Sequence, residues 1–185
     1  MKRIPQHFNP HLERYIYASN YTLDKRVLDA GARDGYGSNI MGNYAASIEL
    51  VDNLYTQNIW LNRARKNYYK CPTNFIVSDF EKEFPEGKWD VIVAFEIIEH
   101  LENPDFFLDN IKKALVPGGI LIFSLPHDAD VPGHKHVYDE AAARIMMESH
   151  FNIKEWHIQD KSVIGGVPTL AVPTPLTYVG IGGVE

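Results

Sequence analysis

The chain has 185 residues, 45% of them hydrophobic, and a formal net charge of -6. The hydrophobic fraction excludes a disordered chain, and the negative charge argues against a large nucleic-acid-binding surface. No apolar run approaches the roughly 20 residues that cross a bilayer, so we expect no membrane span. The length predicts a single domain over residues 1–185 that can bury a core.

The N-terminal segment and the cysteine content predict a cytoplasmic location. The N-terminal segment MKRIPQHFNPHLERYIYASN is polar and lacks the apolar stretch of a secretory signal. Cys71 is the single cysteine, so it has no partner for an internal disulfide or for a zinc cluster. A reducing compartment is the expectation for such a chain.

The first half of the chain alternates between segments with helical spacing of apolar residues and short apolar strands. The predicted elements, in order, are helix 10–20, strand 26–30, helix 38–44, strand 47–51, helix 54–68 and strand 75–79. Acidic residues close several of these strands, which puts carboxylates where strands end.

The second half contains the clearest strand, WDVIVAFE, over residues 89–96. Its apolar run from Val91 is typical of a strand that is buried on both faces of a parallel sheet. The Pro-Gly-Gly triplet at 117–119 is predicted to end a helix before the next strand. The remaining elements are helix 104–115, strand 120–126, helix 139–149, strand 151–159, a loop over 163–175 and strand 176–181.

This order predicts an α/β fold with a doubly wound, mostly parallel, seven-stranded sheet. The last two strands are joined by a loop alone, which predicts an antiparallel edge strand. Right-handed crossovers would leave a ligand crevice at the carboxyl ends of the parallel strands. The segment 29–35, Asp52, Asp79, Glu96 and the loop after Pro126 are therefore the places to look for function.

A glycine-containing turn follows the first strand, in the segment VLDAGARDGYGS at 27–38. Gly31, Gly35 and Gly37 lack a Cβ, so the backbone there can adopt positive φ and approach a nucleotide-like ligand closely. The amides of the helix that follows suit a carboxylate or a phosphate. The turn predicts a binding site for a nucleotide-like ligand next to the first strand.

Several segments together resemble the class I S-adenosylmethionine-dependent methyltransferases, over about residues 10–160. The segments are VLDAGARDGYGS, IELVD, IVSDF, WDVIVAFEIIEHLENP and LVPGGILIFSLP. Small enzymes related to the ubiquinone O-methyltransferases are the most similar, and the resemblance implies a Rossmann-like methyltransferase fold. Arg33 is a departure, because it replaces the middle glycine of the family's Asp-x-Gly-x-Gly-x-Gly turn; it could face outward, contact the methionine carboxylate or narrow the groove.

The resemblance implies a site for S-adenosylmethionine. Gly31 and Gly35 would pass beneath its methionyl part, and Asp52 would accept hydrogen bonds from the ribose hydroxyls. Asp79 would accept one from the adenine amine, with Phe80 against the ring. A strand-end helix cap is the alternative role for both aspartates. The complete implied set is Asp29, Gly31, Gly35, Asp52, Asn53, Asp79, Phe80 and Glu96.

Spacings of three and four residues separate Glu96, Glu99 and His100, so a helical turn from Glu96 would place all three on one face. Two carboxylates and an imidazole suit Mg²⁺ or Mn²⁺. His134 or His136 could add a ligand from the loop after strand 120–126, and we assign His134. The predicted metal ligands are thus Glu96, Glu99, His100 and His134; the alternative is a metal-free Glu-His pair in which the histidine caps a helix or contacts substrate.

The resemblance implies methyl transfer from S-adenosylmethionine, and our leading hypothesis for the acceptor is a hydroxyl oxygen of a small molecule or sugar. A bound cation would lower the pKa of that hydroxyl, and His100 and His134 are the candidate catalytic residues, one of them as general base. The segment EIIEH followed by HKH also resembles metal-dependent enzymes that methylate the 2′-hydroxyl of small RNAs. The net negative charge of the chain disfavours this alternative. A non-catalytic cofactor-binding protein is the third alternative, and the oligomeric state stays open.

Overall fold

The computed structural model describes residues 10–53, 69–127, 131–159 and 177–184. The helix predicted over 54–68 and the loop predicted over 163–175 lie outside these ranges. A 3₁₀ turn at Ile98–His100 accompanies the regular elements. These are α1 Pro10–Ser19, β1 Arg26–Ala30, α2 Tyr36–Met41, β2 Ser47–Asp52, β3 Thr73–Val77, β4 Trp89–Phe95, α3 Pro104–Ala114, β5 Leu115–Pro126, α4 Glu140–His150, β6 Asn152–Gln159 and β7 Thr177–Gly183.

The strands form one seven-stranded sheet in the order β3-β2-β1-β4-β5-β7-β6. The pairs among β1 to β5 are parallel, whereas β7 is antiparallel to both β5 and β6. Antiparallel pairing is therefore confined to the last strands at one edge, with β7 next to the outermost strand. The α/β fold class and the mostly parallel sheet are confirmed.

Helices cover both faces of the sheet, because its central strands are apolar on both sides. Val91, Val93 and Phe95 of β4 point to the face covered by α1 and α2. Ile92 and Ala94 alternate with them and point to the face covered by α3 and α4. The unbroken apolar run of β4 thus serves two cores, which explains why this strand is the clearest in the sequence.

The chain's own capping residues fix the starts of the two helices on the second face. The side chain of Asn103 accepts a hydrogen bond from the Phe106 amide, with a proline at the first helical position. The side chain of Asp139 accepts one from the Ala142 amide at 2.8 Å. These caps fix where α3 and α4 begin, and both helices pack their buried side chains on the sheet.

Several boundaries differ from the predicted ones, and the differences at β5 and β3 are the ones that matter here. The expectation that Pro-Gly-Gly at 117–119 lies between a helix and a strand is wrong, because β5 starts at Leu115 and includes the triplet. The pairing of β5 with β4 shifts register between Trp89 and Val91, which accommodates the triplet. Strand β3 covers 73–77 rather than 75–79, so Asp79 lies beyond it. None of the helices in the described ranges combines the length and the apolar character that crossing a bilayer requires.

Candidate functional site

A cavity of about 750 Å³ lies where β1, β2, β3 and β4 end at their carboxyl sides. Its size suits a ligand of a few dozen heavy atoms. Most of the cofactor residues implied by the sequence line it, namely Gly31, Asp52, Asn53, Asp79, Phe80 and Glu96. Asp29 and Gly35 do not line it. The predicted crevice at the ends of the strands thus corresponds to a real cavity, while ligand contact by these residues stays a prediction.

The glycine turn forms the floor of this cavity. Gly31 and Gly35 have φ values of 76° and 75°, which glycine adopts without strain. A Cβ added at Gly31 would lie 2.9 Å from Cδ1 of Ile97, so the absence of a side chain lets the segment after β4 approach the turn. The Gly31 amide donates to the Val51 carbonyl at 2.9 Å, which ties the turn to the end of β2.

Asp52 holds the turn and faces the cavity at the same time. One carboxylate oxygen accepts the Arg33 amide at 2.7 Å, and the other accepts the Asn53 amide at 2.7 Å. Each carboxylate oxygen can accept a second hydrogen bond. Asp52 can therefore receive two hydroxyl groups of a ligand without giving up the contacts that position it.

Asp79 and Phe80 occupy the next part of the wall. The Lys82 ammonium donates to the Asp79 carboxylate at 2.6 Å and, with the Glu81 amide, holds the pKa of that carboxyl below its usual range. These contacts stabilise a local turn, whereas the alternative left open by the sequence was a helix cap at the end of the strand. The Phe80 ring is buried and contacts the Phe107 ring at a centroid distance of 4.9 Å, so this residue belongs to the core as well as to the cavity.

Asp29, one of the residues expected in the cofactor site, lies beneath the turn and does not line the cavity. Its carboxylate is fully buried and accepts hydrogen bonds from the Ser38 hydroxyl at 2.5 Å and the Tyr15 hydroxyl at 3.4 Å. Burial raises the pKa of Asp29 to about 7. The residue joins β1 to α2 and α1. Gly35 is also buried, against the side chain of Leu50.

The raised pKa of Asp29 predicts a pH-dependent stability. Between about pH 4 and pH 7 this carboxyl is protonated in the native protein and ionised in the unfolded chain. The native state then binds more protons, so the free energy of unfolding falls as the pH rises through this window. Asp29→Asn removes this titration. Between about pH 5 and pH 7, the free energy of unfolding of the wild type should therefore fall by about 2 kcal/mol relative to that of the variant. Urea unfolding of both proteins at the two pH values checks this; parallel pH dependences would contradict it.

A buried arginine that the sequence left out of the implied site lies behind Glu96, a residue of the cavity wall. Arg14 of α1 is 2% exposed and donates to Gln159 Oε1 and to His11 Nδ1, both at 2.8 Å. Its Nη2 lies 3.8 Å from Oε1 of Glu96, which lines the cavity. The apolar residues around Arg14 in α1 signal a buried helix face, but Gln159 carries no sequence signal of its role.

Glu96 adopts a left-handed conformation with φ of 51°, so the expected helical turn from this residue is wrong. Its amide donates to the Ser124 hydroxyl at 3.2 Å, and that hydroxyl donates back to Glu96 Oε1 at 2.8 Å. The reciprocal pair locks the side chain between the ends of β4 and β5. The 3₁₀ turn starts only at Ile98.

Glu99, His100 and His134 come together beside this segment, with one potential ligand atom of each within 4.8 Å of the others. Glu96 is not part of this cluster, because its left-handed backbone directs the carboxylate to Ser124. The His100 Nδ1 hydrogen bonds to the Gly133 carbonyl at 2.9 Å, which leaves Nε2 as the acceptor nitrogen of the neutral ring. His136, the other candidate, packs its ring against Tyr138 instead.

Two backbone hydrogen bonds hold the histidine loop against Glu99. The Glu99 carbonyl accepts the amides of Lys135 at 2.7 Å and His136 at 3.2 Å. The Glu99 side chain is completely buried, and neither carboxylate oxygen has a hydrogen-bond partner among the described residues. Burial, followed by the charge of Glu96, raises the pKa of Glu99 to about 8.

A buried carboxylate without a partner is uncommon in native proteins and needs an explanation. A divalent cation bound by Glu99 and the two imidazoles would satisfy it, since one oxygen and two nitrogen ligands suit Mn²⁺ and similar ions. The residues present therefore fit a metal ion.

Comparisons with known proteins support the family resemblance. A sequence profile of the family described as "Methyltransferase domain" matches residues 12–162. The ubiquinone biosynthesis O-methyltransferase of Rickettsia bellii is 28% identical over 120 residues, which cover 65% of this chain and 50% of that protein. The ubiquinone biosynthesis O-methyltransferase of Idiomarina loihiensis is 30% identical over 120 residues, which cover 60% of this chain and 47% of that protein. The chain thus spans about half the length of the curated relatives it matches.

Solved structures show the same fold. The N-methyltransferase NodS of Bradyrhizobium japonicum, in complex with S-adenosyl-L-homocysteine, superposes with a TM-score of 0.74 at 17% identity. The match covers 95% of this chain and 88% of NodS. A SAM-dependent methyltransferase from Aquifex aeolicus superposes with a TM-score of 0.73 at 15% identity. The match covers 96% of this chain and 90% of that protein. At these identities the likeness concerns the fold.

Proposed function

The chain belongs to the methyltransferase-domain family, and on that premise we propose that it transfers a methyl group from S-adenosylmethionine to a hydroxyl oxygen of a small molecule or sugar. The observation that carries the proposal is the cavity whose wall joins a glycine turn to the carboxylates of Asp52, Asp79 and Glu96. A crevice at the carboxyl ends of parallel strands is where such sheets bind nucleotide-like ligands.

The distribution of charge in the cavity supports one orientation of the cofactor. Asp52 and Asp79 offer acceptors at the side of β2 and β3, where the ribose hydroxyls and the adenine amine would find partners. Gly31 and Glu96 form the other side, next to the buried guanidinium of Arg14. The methionyl carboxylate and ammonium would meet groups of opposite charge there.

The acceptor would enter beside Glu96, near Glu99, His100 and His134. A sulfonium methyl group is already activated, so the enzyme mainly has to align the acceptor oxygen with it. A cation held by these three residues would lower the pKa of the acceptor hydroxyl and orient it. Without an ion, Nε2 of His100 could accept the hydroxyl proton as the oxygen is methylated, because Nδ1 is engaged by the Gly133 carbonyl.

Ubiquinone O-methyltransferase relatives favour a hydroxyl acceptor, which is a proposal here because the chain covers only half of their length. The experiment is transfer of a tritiated methyl group from S-adenosylmethionine to a catechol, a simple sugar and a short single-stranded RNA. Labelling of the catechol or sugar alone supports the proposal. Labelling of the RNA alone would favour the 2′-hydroxyl alternative, and S-adenosylhomocysteine binding without any transfer would favour a cofactor-binding protein.

The metal proposal has its own test, with a matched pair of glutamates. We expect Mn²⁺ to bind the wild type in a calorimetric titration and to raise its melting temperature, because the ion partners the buried Glu99 carboxylate. Glu99→Gln should abolish both signals. Glu102→Gln removes the charge of a side chain that is 68% exposed and pairs with Lys135, so it should leave them unchanged. No heat with the wild type, or equal binding by Glu99→Gln, would contradict the site.

A further inference from the structure

A second groove, of about 660 Å³, lies at the end of the sheet opposite the candidate site, where β4 and β5 begin. The carboxyl ends of α3 and α4 border it, together with the start of β6 and the end of β7. Leu115, Pro117 and Phe151 form an apolar part of its wall. None of the residues that line this groove belongs to the candidate site, so its shape and charge need a separate explanation.

Three lysines line the groove, namely Lys88, Lys112 and Lys113, and Glu148 is the carboxylate that lines it with them. The Glu148 carboxylate already lies 3.9 Å from the guanidinium of Arg144. Within the described parts of the chain, none of the three ammonium groups comes within 4.0 Å of a carboxylate oxygen. Because the whole chain has a net charge of -6, this cluster of unpaired positive charge is a local exception, and it favours an anion.

Capping of α3 is the ordinary role of lysines at this place. Lys112 and Lys113 lie in the last turn of the helix, where a positive charge interacts favourably with the helix dipole. However, the ammonium of Lys88, from the segment before β4, already donates to the Lys113 carbonyl. The Leu115 amide donates to the Ile111 carbonyl as well. The helix end is thus capped by groups from outside the helix, so capping does not account for all three ammonium groups.

The imidazole of His150 also lines the groove, but its surroundings give it a different role. Its Nε2 lies 3.5 Å from Asp105 and 3.8 Å from Asp109, both on α3. Its Nδ1 hydrogen bonds to the Met146 carbonyl at 3.0 Å. These contacts connect α4 to α3, so the cations that remain available to a ligand are the ammonium groups.

Two further hydrogen-bond donors stand at the rim of the groove. The Asn152 side chain is exposed, lines the groove and makes no hydrogen bond within the ranges that the structure describes. A Cβ added at Gly183, which also lines the groove, would lie 2.7 Å from Nζ of Lys154. The absence of a side chain at Gly183 thus lets a fourth ammonium group reach the rim. Ammonium groups from α3, from β6 and from the segment before β4 therefore surround one concave surface.

We propose that this groove binds a ligand that carries a diphosphate or triphosphate group. Lysine binds phosphate as a compact point charge, through charge-assisted hydrogen bonds. Ammonium groups on three segments can engage several phosphate oxygens at once, and an oligophosphate carries several negative charges where a carboxylate carries one. The ligand is either a free oligophosphate or a nucleoside oligophosphate whose base packs on the apolar wall. The site is separate from the candidate active site, so the inference does not depend on the proposed methyl transfer.

The test is a calorimetric titration of pyrophosphate into the protein at low ionic strength and without divalent ions, since salt screens exposed charges. We expect the wild type to bind it and the double variant Lys112→Gln/Lys113→Gln to bind it about tenfold more weakly. Lys112→Arg/Lys113→Arg keeps both charges and should bind like the wild type. The matched control Lys25→Gln/Lys70→Gln removes the same charge from exposed positions outside the groove and should leave the affinity unchanged. Guanosine diphosphate is the second probe: tighter binding than that of pyrophosphate assigns a nucleoside ligand, and equal or weaker binding assigns a free oligophosphate.

The melting temperature separates binding from folding. All four substituted lysines are exposed, so each double variant should melt close to the temperature of the wild type. Absence of pyrophosphate binding to the wild type would overturn the site, as would unchanged binding by Lys112→Gln/Lys113→Gln. Equal weakening by the two glutamine pairs would also overturn it, because the attraction would then belong to the charge of the whole surface.

Discussion

Gly37→Ala is expected to lower the free energy of unfolding by about 3 kcal/mol, a typical upper value for overpacking a core. Alanine normally favours a helix over glycine, so an exposed site would respond in the opposite direction. Here an added Cβ would overlap the ring of Tyr15, which is 6% exposed. That ring is held edge-on between Tyr36 and Phe95, at centroid distances of 5.4 and 5.1 Å, and has no space to retreat.

A double-variant cycle with Tyr15→Ala identifies the cause. In that background the ring is gone, so Gly37→Ala should be neutral or stabilising by up to about 1 kcal/mol, the helix preference of alanine. Guanidinium unfolding of the four proteins gives the coupling between the two sites. Because α1 also carries Arg14, we expect the single variant to lose affinity for S-adenosylhomocysteine as well. A Gly37→Ala protein as stable as the wild type would contradict the packing of α1 on the glycine turn.

The order of the sheet and its crevice could be predicted because the sequence carries local signals for them. The apolar run from Val91 has to be covered on both faces, and helical patterns alternate with the strands around it. Asp52 ends β2 as predicted, which brings its carboxylate to the glycine turn of the neighbouring strand. Chain order together with right-handed crossovers then determines on which edge of the sheet the ends of the strands meet.

The parts that could not be predicted depend on contacts between distant residues. Arg14 and Gln159 are 145 positions apart, and nothing local to either residue indicates the other. Glu99 and Glu102 both contact the loop that carries His134, yet Glu99 is fully buried and Glu102 is exposed, and no local sequence signal separates the two in burial. The conformation of Glu96 follows from its pairing with Ser124, a residue of another strand.

The start of β3 is another feature that the sequence pattern alone did not predict. Its apolar pattern begins at Phe75, but the strand begins at Thr73, which pairs with Ile48 of β2. The register of a parallel pair is thus set by the partner as well as by the strand's own pattern. The two-residue shift leaves Asp79 in a turn beyond the strand, where Lys82 and the Glu81 amide engage its carboxylate. Asp52 ends its strand whereas Asp79 lies beyond β3, so Asp52 is the aspartate that we choose for the binding test.

Asp52→Ala should weaken the binding of S-adenosylhomocysteine by about 100-fold, because two hydroxyl groups of the ribose would lose a charged acceptor. The substitution also removes the acceptor for the Arg33 and Asn53 amides, which loosens the turn that forms the cavity floor. Asp52→Asn retains one acceptor oxygen and loses the charge, so a loss of about tenfold is expected.

The control for charge is Asp90→Ala, near the amino end of β4, where the carboxylate pairs with Arg26 far from the strand ends that line the cavity. It removes the same unit of charge and should leave the affinity for S-adenosylhomocysteine unchanged. Calorimetric titration gives the affinities, and circular dichroism melts of each variant show whether the fold persists. A folded Asp52→Ala protein that binds S-adenosylhomocysteine as tightly as the wild type would mean that the ribose does not contact this carboxylate. The adenosine end of the cavity would then have to be reassigned, starting from Asp79 and Asn53.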